Sequence, residues 1–152
     1  MKRRRVLDDR QLALVSVISE LIIPETETPG ARSVGVPDYV DFTLWRASVE
    51  ARRRFFAGLE WIERESRRRF GQSFVHLAAG QQIALLRSIE IADSQSDDDA
   101  FGAAFFRDIK NRTIYAYYTS KAGILQELGY KGNAPLADFP GCDHPEHLRG
   151  SR

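Results

Sequence analysis

Apolar residues return along this chain at the spacing of a helical turn, segment after segment, and no stretch reads convincingly as a strand. Helices with one apolar stripe bury it against one another, so the pattern predicts an all-α fold. The first helix is expected over residues 9–23, with Leu12, Val15, Ile18, Leu21 and Ile22 on one face. Asp8, three residues ahead of Gln11, makes a capping box at its start, and Pro24 stops it. Pro29-Gly30 marks a turn, and Pro37 suits the opening of a short second helix whose surface is heavily apolar through Tyr39, Val40, Phe42, Thr43 and Trp45.

The third helix, over residues 49–70, carries Phe55, Phe56, Leu59, Ile62 and Phe70 as its stripe, with Trp61 beside it. Charged residues cover the rest, spaced for Glu60–Arg64 and Glu63–Arg67 pairs, and Gly71 ends it. A connection at 74–77 leads to a fourth helix at 79–92, with Ile83, Leu85, Leu86 and Ile89 inward. An acidic link at 93–99 leads to the fifth, at 98–118, with Phe101, Phe105, Ile109 and Tyr115 near one face. Negative charge favours a helix N-terminus, which fits that order. A short sixth helix, 121–128, is capped by Thr119 or Ser120 and closed by Gly129. The expectation is one domain, 1–142: a compact bundle of about six helices with an extended C-terminal tail. Residues 143–152 are expected to be flexible.

Composition narrows the function. The chain has 152 residues, 43% hydrophobic and 28% charged, enough for one domain with a true core. A net charge of +1 gives no global pull toward nucleic acid or an anionic membrane. The basic runs at 2–5 and 67–69 could meet phosphates, but glutamates alternate with arginines along the third helix, as on a solvated face. No nucleic-acid partner is expected. No stretch approaches the ~20 apolar residues of a membrane-spanning helix, so no direct membrane span is expected either. The opening MKRRRVLDDRQLALVSVISELIIP is interrupted by Asp8, Asp9, Arg10 and Glu20 and reads as carrying no export signal.

Reactive groups are few. Cys142, His144 and His147 form a C-x-H-x-x-H run that could supply three zinc ligands, or could be a solvated tail. Cys142 is the single cysteine, either a free thiol or a bond to another chain in an oxidising compartment. His76 reads as structural. Asp97, Asp98 and Asp99 lack the glycine and terminal glutamate of a calcium loop. No Ser-His-Asp order, phosphate-binding loop or dinucleotide glycine motif is present. The residues alone point to a binding or scaffold module; a small metal-dependent enzyme using the terminal Cys/His cluster and a stand-alone helical adaptor are the alternatives.

The last third, FFRDIKNRTIYAYYTSKAGILQELGYKGNAPLADFPGC, concentrates aromatic side chains in a helix end and a Gly/Pro-rich tail. Apolar area left in water costs about 25 cal/mol per Å². Either the tail wraps on its own domain or another chain covers it.

Three stretches in one order resemble the gluconate 2-dehydrogenase subunit 3 family. LIIPETETPGARSVGVPDYVDF looks like its "IIP-x-T-x-TPGA-x-x-AGVP" signature, GLEWIERESRRRFGQSFVHLAAGQQIALL like its central pattern, and YYTSKAGILQELGYKGN with FPGC like its closing motifs. The resemblance implies a non-catalytic small subunit, with no cofactor in this chain. It implies a large flavoprotein partner of the glucose-methanol-choline oxidoreductase type, which holds FAD and oxidises a sugar, sugar acid or glycoside. A cytochrome c subunit, with haem, often completes such complexes. The small subunit stabilises the large one and assists its maturation. The resemblance favours the periplasm; the lack of an export signal leaves the cytoplasm open. Expected partner contacts are Tyr39, Tyr117, Tyr118, Tyr130, Phe139 and Cys142, with Pro37 and the loop 26–32 as a second region; each aromatic has its own core as the competing place.

Overall fold

The computed structural model describes residues 5–91, 96–130 and 132. Five α-helices follow in order: α1 Asp9–Ile22, α2 Val36–Arg46, α3 Val49–Phe70, α4 Ala79–Ile91 and α5 Asp97–Tyr118. A 3-10 turn, Phe74–His76, precedes α4, and a π turn, Gly123–Glu127, follows α5. The described residues contain no strand, and the fold is a compact all-α bundle. The Asp8–Gln11 capping box forms in both directions, with Gln11 N–H 2.8 Å from the Asp8 carboxylate. The expected sixth helix is the π turn. Leu128 N–H reaches back five residues to Gly123 O at 3.0 Å. A Cβ on Gly123 would stand 2.1 Å from Tyr117 O, so glycine alone lets the chain fold this tightly against the end of α5.

The core gathers around α5, which packs against each of the other four helices. Val15 and Ile18, Val40 and Leu44, Phe55 and Ile62, Leu85, and Ile109 are all fully buried. Each such side chain contributes about 1.5–3 kcal/mol relative to exposure. The α3–α5 crossing is close because each helix lacks a side chain where the other is bulky. A Cβ on Gly58 would sit 2.0 Å from the Phe105 ring, and one on Gly102 would sit 2.5 Å from Trp61.

Two side chains expected inward point out. Ile83 is 40% exposed, and Gln82 takes the inward place, its Nε2 donating to Phe74 O at 2.9 Å. Tyr115 is 61% exposed. It lies six residues beyond Ile109, about 120° round the helix at ~100° per residue, which carries it off the buried arc. The Glu63–Arg67 pair forms at 3.6 Å. Arg64 instead reaches Asp98 at 2.7 Å, and the same carboxylate accepts from Trp61 Nε1 at 3.0 Å. Asp98 therefore ties the first turn of α5 to α3 and is more than part of an acidic link.

Buried polar groups pin the elements. Asp41, fully buried on α2, accepts from Val6 and Leu7 N–H at 2.9 and 2.8 Å and holds the entering chain against the bundle. Ser19 and Thr113 share a hydrogen bond at 3.2 Å between α1 and α5. Glu65 is 5% exposed. The Arg68 side chain hydrogen-bonds it at 2.8 and 2.5 Å, and Arg69 adds a further bond. Arg68 and then Arg69 outweigh the upward push of burial and hold the carboxyl at about 2. A depressed folded-state pKa stabilises above the ordinary value, 4.5, and that stabilisation fades as pH falls toward 2. Urea titrations between pH 6 and 2 should show a loss of roughly 1–3 kcal/mol that Glu65→Gln lacks. Parallel slopes in the two proteins would remove Glu65 from the acid response.

Candidate partner-docking face

The eleven residues of α2 carry two apolar stripes. Val36, Val40 and Leu44 recur every fourth residue and are buried. Tyr39, Phe42 and Trp45 recur every third residue on a different side, with Phe42 39% and Trp45 49% exposed. One stripe serves the core; a helix with a second one presents it to something else. The same division occurs at the end of α5, where Thr113, Ala116 and Tyr117 face inward while Ile114, Tyr115 and Tyr118 are exposed.

These outer rings touch. The Tyr115 and Tyr39 centroids are 6.2 Å apart, Tyr39 and Phe42 6.4 Å, and Phe42 and Trp45 6.1 Å, all tilted. Together they form an aromatic ladder across two helices. Ten large apolar side chains are exposed among the described residues. Nine lie on α2, on Val49 at the α2–α3 corner, on the last turns of α5, and on the chain beyond it (Leu125, Leu128 and Tyr130). Only Ile83 stands elsewhere. Scattered exposed apolar residues are ordinary; rings in mutual contact, as in the ladder, are what an interaction site looks like.

The expected contact residues divide. Tyr39 is half-buried within the ladder, and Tyr118 and Tyr130 are 37% and 46% exposed. Tyr117 is corrected: it is 1% exposed and belongs to this chain's own core. Its ring meets Tyr118 edge-on at 5.3 Å, and its hydroxyl donates to Pro29 O at 2.8 Å. Pro37 is buried too, so it shapes α2 and does not offer a contact. Phe139, Cys142, His144 and His147 lie outside the described residues. Phe42, Trp45 and Tyr115 are the face residues that the contact assignment passed over. For Phe42 and Trp45 the signal was the three-residue spacing on α2, which cannot share one helical face with the four-residue spacing of Val36, Val40 and Leu44.

The loop 26–32 is held from two sides. The Glu20 carboxylate accepts from Glu25 N–H at 3.1 Å and Arg32 N–H at 2.8 Å. Tyr117 holds Pro29 from α5, and Ala31 N–H donates to Ile23 O at 2.9 Å. Thr26, Glu27 and Arg32 remain exposed on this pinned frame. Tyr117→Phe is expected to cost about 1 kcal/mol, the net worth of one hydrogen bond. Thermal melting reads the loss, and limited proteolysis within 24–33 should quicken. An unchanged melt and cleavage rate would show that the bond does not hold the loop.

An open cleft of about 790 Å³ lies between α1, α3 and the 3-10 turn, lined in part by Asp9, Glu60, Glu63, Ser73 and His76. Glu63 is engaged there by the Ser73 hydroxyl and Phe74 N–H, both at 3.1 Å. Among the described residues no group of three or more His, Cys, Asp or Glu side chains stands where it could hold a metal ion. The Tyr115–Tyr39–Phe42–Trp45 ladder is an apolar surface of the kind that suits binding.

The family model for gluconate 2-dehydrogenase subunit 3 matches residues 9–136. The chain belongs to the gluconate 2-dehydrogenase subunit 3 family. The match begins at the first residue of α1 and takes in every described helix, so the aromatic ladder lies wholly within the family domain. The family name is that of a dehydrogenase-complex subunit, which agrees with a domain whose exposed apolar residues gather on two helix faces and their surroundings. No curated protein and no solved structure matches the chain. None of the described helices is long and apolar enough to cross a membrane.

Proposed function

We propose that this chain is the accessory, non-catalytic subunit of an FAD-dependent sugar, sugar-acid or glycoside dehydrogenase, and that it stabilises the large flavoprotein subunit and assists its maturation. The exposed aromatic ladder on a family domain named for a dehydrogenase subunit carries the reading. FAD belongs to the partner on this account. This chain's part is to cover apolar surface on the partner while covering its own. A cytochrome c subunit is the expected further member.

Such an obligate interface buries about 2,000 Å² or more in total. Co-expression of the flavoprotein partner, with and without this chain, tests the role. Soluble yield and flavin content of the large subunit should rise several-fold when the chain is present. Equal yield and equal flavin in both cultures contradict the role.

A further inference from the structure

We infer that Arg112 of α5 is the positioning residue of the docking face: it fixes how α2 lies on α5 and so holds Tyr39 against Tyr115. This rests on the partner reading above and adds which side chain sets that face before a partner arrives. The guanidinium is itself firmly placed. Its Nε donates to both oxygens of Asp108, one turn back on α5, each at 3.1 Å. It stands 5.5 Å from the centre of the Phe55 ring on α3, a favourable cation–aromatic contact. Phe55 is 1% exposed and meets Phe105 edge-on at 5.3 Å, so this support belongs to the α3–α5 crossing. From that base Nη1 reaches across to α2 and donates to Thr43 Oγ1 at 3.0 Å. A guanidinium only donates, so the Thr43 oxygen accepts, and its own hydrogen goes to Val40 O at 2.8 Å.

The two helices thus meet at two rungs, Thr43 with Arg112 and Tyr39 with Tyr115, whose centroids are 6.2 Å apart. On α2 the rungs are four residues apart and on α5 three, so they are neighbours on both helices. Val36, Val40 and Leu44 press α2 onto the bundle. Apolar burial is non-directional and does not by itself choose the rotation of an eleven-residue helix about its axis. A hydrogen bond is directional, and the one from Arg112 makes that choice. A rotation that breaks it draws Tyr39 off Tyr115 and turns Phe42 and Trp45 with it. The fold outlasts the loss of the bond: the Asp108 side chain is 46% exposed and lines, with Arg112, an open cleft of about 590 Å³ that admits water. A face fixed in advance lowers the ordering cost of binding.

The test compares the full wild-type chain with Arg112→Gln, Thr43→Val and Thr43→Ser. Nuclear Overhauser contacts between the Tyr39 and Tyr115 rings are read in each, and calorimetry reads the affinity for the flavoprotein subunit. Wild type and Thr43→Ser, which keeps the hydroxyl, are expected to show the ring contact and to bind alike. Arg112→Gln and Thr43→Val are expected to lose the contact with helix content unchanged, and to bind about tenfold more weakly. Thr43→Val hardly alters volume, so it decides the matter even where Arg112→Gln fails to fold. A ring contact that persists in Thr43→Val overturns the inference, as does a Thr43→Ser chain that behaves like Thr43→Val. Lost contact with unchanged affinity also overturns it, leaving the bond a role in the fold alone. If the two wild-type chains form no complex, the accessory reading fails, and the ring contacts still decide whether Arg112 sets α2 on α5.

Discussion

Replacing Trp45 and Tyr115 together by glutamate is expected to weaken association with the flavoprotein subunit at least ~100-fold, which corresponds to about 2.7 kcal/mol. The two side chains end the ladder and are 49% and 61% exposed, so the isolated chain loses little packing when they change. On the function proposed above they are apolar contacts with the partner. Truncating a large aromatic anchor in such a place commonly costs 2 kcal/mol or more, and a carboxylate buried without a partner adds its desolvation. Ile83→Glu is the control: it removes another exposed apolar residue, on α4 and outside the ladder. Titration calorimetry with refolded or exchanged subunits reads the affinities, and circular dichroism confirms unchanged helix content. A double variant that binds within threefold of wild type, beside a control that also binds, would remove the ladder from the interface.

Phe105→Ala is expected to lower the stability of the isolated chain by about 3–5 kcal/mol, a large share of a small domain's total. Phe105 is 5% exposed, meets Phe55 edge-on at 5.3 Å, and fills the space that Gly58 leaves on α3. Its removal opens a cavity at the closest helix crossing. Gly58→Ala alone is expected to cost about 1–3 kcal/mol by overpacking. In the double variant the added methyl no longer meets a ring, so the combined loss should fall short of the sum. Urea denaturation of the four proteins measures this coupling. Additive losses would mean that the Gly58–Phe105 contact does not set the helix spacing.

Most of the bundle was legible because its signals are local. Asp8 with Gln11, Pro24, and Gly71 mark helix ends through hydrogen bonding and backbone geometry within a few residues, and those ends stand where expected. What was not legible depends on partners distant in sequence. Asp98 looked like linker charge until α3 brought Trp61 and Arg64 to it, and Glu65 looked like solvated surface until burial enclosed it with Arg68 and Arg69. The aromatic face was half legible. The sequence shows that α2 is rich in rings, but only packing separates Tyr117, turned inward to Pro29, from Tyr115, turned out to Tyr39. Those two side chains sit two residues apart on one helix and differ by about 160° round it.

The central claim is that this helical domain is one half of a joint with a dehydrogenase subunit. Co-expressed chains, with a tag on this one alone, can be passed over a sizing column fitted with light scattering. The account predicts a single flavin-coloured species whose mass equals the two chains together. Two separate peaks, with all the flavin in the untagged chain and this chain monodisperse on its own, would contradict it.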